Sequence, residues 1–132
     1  MPDAPPKHLR FGRAARIKQS RDFARARQEG KRCVCGCLIA NWRALPVGSP
    51  TRLGVVASRK VGGAVVRSRA RRLLRESFRL NQHALAKPVD LVLVARNSIT
   101  GRGLGEVEKD FLTAMERAGL LQRQNVADGG KQ

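Results

Sequence analysis

Between Ala64 and Asn81 the apolar positions follow a helical rhythm. At about 100° per residue, Val66, Ala70, Leu73, Ser77 and Leu80 share one narrow face, the spacing of a helix laid on a core. Leu104, Val107, Phe111, Met115 and Ala118 repeat that rhythm and predict a last amphipathic helix that closes the core. Between the two helices, VDLVLVA (Val89–Ala95) is almost unbroken apolar sequence, as expected of a central strand covered on both faces. Cys33–Trp42 alternates loosely in residues that suit a pleated surface, and Arg52–Ser58 reads as a further strand. The loop RALPVGSPT between them carries proline and glycine, so the pattern predicts a hairpin in which these two strands pair. Upstream, Ser20 can cap a short helix over roughly 21–29, with Asp22 in its first turn and Gly30 ending it. Phe23 is its only large apolar group, either core or a surface platform on which a base could stack.

The ends lack any such rhythm. Residues 1–15, with Pro2, Pro5 and Pro6, are expected to form a mobile basic arm, and residues 122–132 a disordered polar tail. That leaves residues 16–121 as a single domain, ordinary in its 42% apolar content for a chain of 132 residues.

Charge changes the picture more than composition does. Lys and Arg number 27 against 10 Asp and Glu, a formal charge of +17, and such self-repulsion favours a polyanionic partner. Nucleic acid leads over a membrane surface, because no apolar run approaches the roughly 18–20 residues of a spanning helix. The first residues also lack the apolar middle of a signal peptide, so a cytoplasmic location is expected. The charge is concentrated on the central helix. Arg67, Arg71, Arg75 and Arg79 stand four apart and stack as a ladder, with Arg72 beside it and Arg69 on the opposite flank. Like charges at this spacing repel, and Glu76, four after Arg72, is the internal counter-charge. Gly62 and Gly63 leave the helix entrance without bulky side chains, next to Arg59 and Lys60, so a phosphate could approach the first free amides.

Other chemistry is sparse. Cys33, Cys35 and Cys37 would share one face of a strand, but their spacing is not that of a zinc site and a disulfide between residues i and i+2 is geometrically poor, so structural thiols are expected. Asp90 and Asp110 stand isolated in sequence, His8 and His83 form no pair, and tyrosine is absent, which argues against a protein-held metal centre.

With these residues in view, SRKVGGAVVRSRARRLLRESFR resembles the signature of the bacterial ribonuclease P protein subunit, which has a lysine, a glycine loop, an Arg-Asn-Arg and a basic-basic-Leu-Leu-Arg-Glu run. IKQSRDF is similar to that family's first helix, TRLGVVASRK to the strand before the signature and DLVLVAR to the strand after it, so the likeness covers most of residues 16–118. The resemblance implies an α+β fold: a small mixed sheet packed with helices, ribosomal-protein-S5-domain-2-like, with a left-handed crossover through the arginine helix. General crossover rules alone would give the opposite hand.

It also implies roles. Arg67, Ser68 and Arg69 occupy the Arg-Asn-Arg positions and Arg71, Arg72 and Arg75 the basic positions that follow; with Lys60 they would contact the catalytic RNA. Ser68 departs from the pattern, since one hydroxyl replaces an amide with both donors and an acceptor. Phe23 matches the first of two aromatics facing the single-stranded 5′ leader of precursor tRNA; the second is Arg27 here, which can stack on a base and also meet phosphate. Arg59 and Arg96, with Lys60, match basic positions lining or flanking that groove. The implied function is a non-catalytic protein subunit, monomeric and in 1:1 complex with the catalytic RNA, assisting removal of the 5′ leader with Mg²⁺ held by RNA and substrate. A structural RNA-binding protein and an autonomous metal nuclease are the rival classes.

Overall fold

The computed structural model describes residues 16–17 and 20–121, with the side chains of residues 20, 22, 23 and 27 excepted. The expected arm over 1–15 and tail over 122–132 lie outside the described residues. In chain order the elements are α1 (Ser20–Glu29), β1 (Lys31–Cys35), β2 (Leu38–Ala44), β3 (Arg52–Val56), α2 (Ala64–Asn81), β4 (Val89–Ala95) and α3 (Leu104–Arg117). Short 3₁₀ turns over Gln82–Ala84 and Asn97–Ile99 flank β4.

The four strands form one mixed sheet in the order β1-β2-β4-β3. β4 is central and nearly all buried, as its apolar run requires. It pairs antiparallel with β2 and parallel with β3, and α2 is the crossover between the parallel pair. This corrects the expected hairpin: Arg52–Val56 does not pair with the first strand, because β4 lies between them. The hairpin sits instead within Cys33–Trp42, which breaks into β1 and β2 around Gly36 and Cys37, with Cys35 opposite Leu38. Gly36 has φ +57°, a conformation natural to glycine, and the space for a side chain there is filled by the Asp110 carboxylate.

Alternation sends the two faces of the sheet to different partners. Leu38, Ala40, Trp42, Leu53, Leu91 and Leu93 point to the main core, which they share with Leu74 and Phe78 of α2 and Phe111 and Met115 of α3. The buried residues of α2 are Ala70, Leu74, Ser77 and Phe78, so the helix is turned relative to the expected stripe; Val66, Leu73 and Leu80 are only half-buried. The rotation follows from α2 packing on α3 as well as on the sheet, which buries a wider sector than a single narrow line. α3 buries Val107, Phe111, Ala114 and Met115, close to the expected set.

On the opposite face a smaller cluster forms from Ala26 of α1, Val92 of β4 and Ile17, with Val56 and Val94 packed against it. Ile17 reaches it because its N–H donates to the Leu53 carbonyl (2.9 Å) and Arg16 bridges to Leu53 in parallel, adding a short segment to the free edge of β3. One cross-strand row on this face is ionic. The fully buried Asp90 carboxylate accepts from Arg52 Nε and Nη2 (both 2.8 Å) and from Arg43 Nη2 (3.2 Å).

The thiols are structural in their placement. Cys35 and Cys37 are buried in the main core, Cys33 packs half-buried against it, and none is in a disulfide. Asp110 Oδ2 accepts the Cys37 N–H (2.9 Å), tying α3 to the β1–β2 turn. Burial, and then the Asp110 carboxylate to which the thiol donates, push the Cys37 pKa up to about 12. Burial also raises that of Cys35. Both aspartates that look isolated in sequence are therefore held in structural contacts.

Candidate nucleic-acid interface

α2 starts at an open entrance. Gly63 is its N-cap and offers no side-chain cap, no acidic residue occupies the first turn, and Gly62 adopts φ +153° with Val66 packed against it. The arginines then come out along the helix in two tiers. Ser68, Arg69 and Arg72 are exposed, whereas Arg67, Arg71 and Arg75 are half-buried, their stems lying along the body of the protein.

Arg79 leaves the ladder. Glu76 accepts from its Nε and Nη2 (2.9 Å at the closest), which raises the Arg79 pKa through that hydrogen bond and the charge beside it. The expected pairing of Glu76 with Arg72 is thereby replaced by an i,i+3 pair with Arg79, and Arg72 has no ion pair among the described residues. Arg75 goes the other way: partial burial lowers its pKa, and the positive charges of Arg16 and Arg71 lower it further. Arg16 thus belongs to the same basic surface. The register explains it, since the bridge to Leu53 puts Arg16 on the α2 side of the sheet and Ile17 on the other. Sequence reasoning gave Arg16 no role, because nothing local shows that residues 16–17 add to β3.

Because β3 and β4 run parallel, their C-terminal ends lie at the same end of the sheet, the end from which α2 departs. Arg59 and Lys60 follow β3 there and Arg96 follows β4, all three exposed. Lys60 is held in a turn in which its N–H donates to Ser58 Oγ (3.3 Å), and Arg96 Nη1 donates to the Gly36 carbonyl (2.9 Å). The tertiary structure therefore gathers Arg59, Lys60 and Arg96 beside the entrance of α2.

Across the sheet, α1 leaves part of the second face uncovered, and a groove of ≈ 450 Å³ runs between them. Ala24 and Gln28 of α1, Arg32 of β1, Ile39 and Asn41 of β2 and Val94 of β4 line it. Phe23 and Arg27 each precede a lining residue on α1, four apart in the helix; their side chains lie outside the described residues. Arg59 and Arg96 do not line this groove but stand at the end of the sheet beyond Val94. Sequence reasoning missed the sheet-borne wall. Its one available signal was Asn41, an amide inside an apolar strand: it is 6% exposed and lines the groove. An amide so placed offers a donor and an acceptor to a ligand edge.

Among the described residues no group of three or more His, Cys, Asp or Glu could hold a metal ion, and Asp90 and Asp110 are engaged as above. No described helix is long and apolar enough to cross a membrane. What the surface offers is a field of guanidinium groups on one side of a sheet and a narrow, partly apolar groove on the other.

Comparison with known proteins agrees with this architecture. The family model described as Ribonuclease P matches residues 11–119. The ribonuclease P protein component of Symbiobacterium thermophilum is 34% identical over 112 residues, 85% of this chain and 97% of that protein. That of Clostridium acetobutylicum is 34% identical over 80% of this chain and 90% of its own length. The match to the Clostridium beijerinckii protein, 38% identical, spans 62% of that protein. Among solved structures, the RNase P protein of Thermotoga maritima superposes with a TM-score of 0.69 at 28% identity, over 77% of this chain and 96% of that one. The Staphylococcus aureus RNase P protein gives 0.74 at 22% identity over 82% and 98%, a likeness of fold.

Proposed function

Because this chain belongs to the ribonuclease P family, we propose that it is the protein component of a ribonucleoprotein endonuclease that removes the 5′ leader of precursor tRNA, and that catalysis resides in the RNA. The observation that carries this reading is the pairing of two surfaces on one small sheet: the basic face of α2 and, across the sheet, the groove beside α1. A structural RNA-binding protein needs only the first.

In this reading Lys60, Arg67, Ser68, Arg69, Arg71, Arg72 and Arg75 bind the catalytic RNA, with Arg16 extending their surface. Five half-buried or exposed arginines on one helix repel each other in the free protein, so phosphates relieve a strain as well as forming hydrogen bonds. The groove receives the single-stranded leader, with Phe23 and Arg27 on its α1 side, Asn41 offering hydrogen bonds to a base edge, and Arg59 and Arg96 meeting phosphates at the sheet end. Ser68 supplies less than the family's asparagine, and Arg27 shifts leader contact from stacking towards charge. Mg²⁺, held by RNA and substrate, supplies the activation of water and the stabilisation of the leaving oxygen. The protein's own residues offset phosphate repulsion and hold the leader, which only the precursor possesses. The complex is 1:1 with a monomeric protein, in the cytoplasm.

The test is reconstitution. Purified protein is mixed with a bacterial ribonuclease P RNA and precursor tRNA at low Mg²⁺, and each component is omitted in turn. Cleavage should require the RNA and be enhanced by the protein, with precursor bound more tightly than mature tRNA. Cleavage by the protein alone would establish a nuclease instead, and equal affinity for both tRNAs would remove the leader role.

A further inference from the structure

Val65 is out of place. It lies on the first turn of α2 and is 83% exposed, an apolar side chain among cations. Beside it a slot of ≈ 270 Å³ opens between the start of α2 and the turn after β4, walled by Val65, Val66, Ile99 and Gly101, with Arg69 at its side. This is smaller than the roughly 300–1,000 Å³ of pockets for drug-sized ligands, and suits one planar ring.

The slot is built rather than loose. Ile99 is 1% exposed and fixed in a 3₁₀ turn whose N–H groups donate in sequence: Ile99 to the Arg96 carbonyl (2.9 Å), Thr100 to Asn97 (3.2 Å) and Arg102 to Ile99 (3.0 Å). Arg69, which lines the slot, is tied to its far side by Nη2 donating to the Arg102 carbonyl (2.8 Å). A guanidinium held beside an aliphatic slot is a surface on which a nucleobase can stack.

Charge selects the occupant. Arg67 and Arg69 follow Val65 on the same helix, Arg59 and Lys60 precede it, and Arg102 follows the other wall in the chain, with Glu106 3.9 Å from its Nη1 as the acid at hand. A second copy of a chain with formal charge +17 is repelled from such a rim. A nucleotide satisfies both parts, with its base on the aliphatic walls and its phosphates on the arginines. We propose that this slot receives one unstacked base of the catalytic RNA and so gives α2 a fixed register on a backbone that its arginines could otherwise grip at several positions. The proposal rests on the reading that α2 binds that RNA.

Val65→Ala tests it. The side chain is exposed, and alanine is the better helix former, so the fold should survive. Affinity for a bacterial ribonuclease P RNA should fall by about five-fold or more, the lower end of a lost base stack, while the slope of log affinity against log salt stays unchanged because no phosphate contact is lost. Base-specific chemical probing should show one unpaired base shielded by the wild-type protein and reactive with Val65→Ala, with the backbone footprint intact. Unchanged affinity with the same base reactivity would overturn the slot. So would an affinity loss that carries a change of slope, or a Val65-dependent self-association in sedimentation without RNA. Arg67→Ala with Arg71→Ala, measured alongside, separates the two claims: if that variant keeps full affinity and slope, α2 is not on the RNA and the broader reading fails first.

Discussion

Removing the Asp90 carboxylate should destabilise the fold while leaving the arginine face of α2 intact. Its carboxylate is fully buried and accepts two hydrogen bonds from Arg52 at 2.8 Å and one from Arg43 at 3.2 Å. In Asp90→Asn the amide oxygen can replace Oδ2 and keep both Nη2 contacts in neutral form, but its NH₂ then faces the Arg52 Nε–H, donor against donor. Breaking a buried ion pair by removing one partner costs about 3–5 kcal/mol. The Arg43 and Arg52 side chains remain 24% and 29% exposed, so water recovers part of this, and about 2–4 kcal/mol is expected. Arg43→Met is the comparison. It spares the two-point Arg52 contact and removes an Arg43 Nε that is buried without a partner, so it should cost about 1 kcal/mol or less. Urea unfolding with unchanged m-values measures both. Under conditions where Asp90→Asn is still folded, its RNA affinity should not fall, since the change adds one positive charge. A cost below about 1 kcal/mol for Asp90→Asn, or an equal cost for Arg43→Met, would refute the assignment of this carboxylate as the tie between β4 and its two neighbours.

The remaining predictions concern the two RNA surfaces and the thiols. If about six phosphates are contacted, the salt slope for binding the catalytic RNA should be near −4 to −5, and Arg67→Ala with Arg71→Ala should reduce it by about a third; an unaltered slope in a folded variant removes the ladder from the interface. Phe23→Ala should weaken precursor tRNA by about 1–3 kcal/mol per lost base stack and leave mature tRNA unchanged, whereas Arg27→Phe should keep leader binding and lower its salt sensitivity; equal losses for both tRNAs would count against a leader site. Cys37 should resist alkylation in the folded protein at pH 8, and native mass spectrometry should find no stoichiometric zinc. Its thiol pKa is raised on folding from 9.0 to about 12, so the native state holds the proton more tightly and stability should decline as pH rises from about 9 towards 12. Cys37→Ala should lack that component, and parallel pH curves for the two proteins would contradict it.

Much of the architecture can be read from local pattern. α2 and α3 each have a repeat that names the buried side to within a residue or so, as Val107, Phe111 and Met115 do for α3. The apolar run of β4 announces its central place, and the four-residue spacing of Arg67, Arg71 and Arg75 announces a basic face before any coordinates. These features depend on neighbours a few positions away, and that is the range over which periodicity carries information.

Pairing across the chain is another matter. Cys33–Trp42 looks like one strand because alternation persists through it, yet Gly36 can turn only where Asp110 of α3 waits to receive the Cys37 N–H, 73 residues distant. Adjacency through a loop suggested that β3 would pair with β2, but β4 displaces it, since an all-apolar strand gains most when both of its edges and both of its faces are covered. Glu76 had two arginines within reach, and the i,i+3 geometry on the folded helix selected Arg79. The groove belongs wholly to the tertiary level: residues 24, 32, 41 and 94 have no relation in sequence, and a cavity exists only once three strands and a helix have fixed the distance between them. The sequence by itself determined which faces are apolar and which are charged. Which of those faces meet one another was decided by the long-range hydrogen-bond register of the sheet, which no local period encodes.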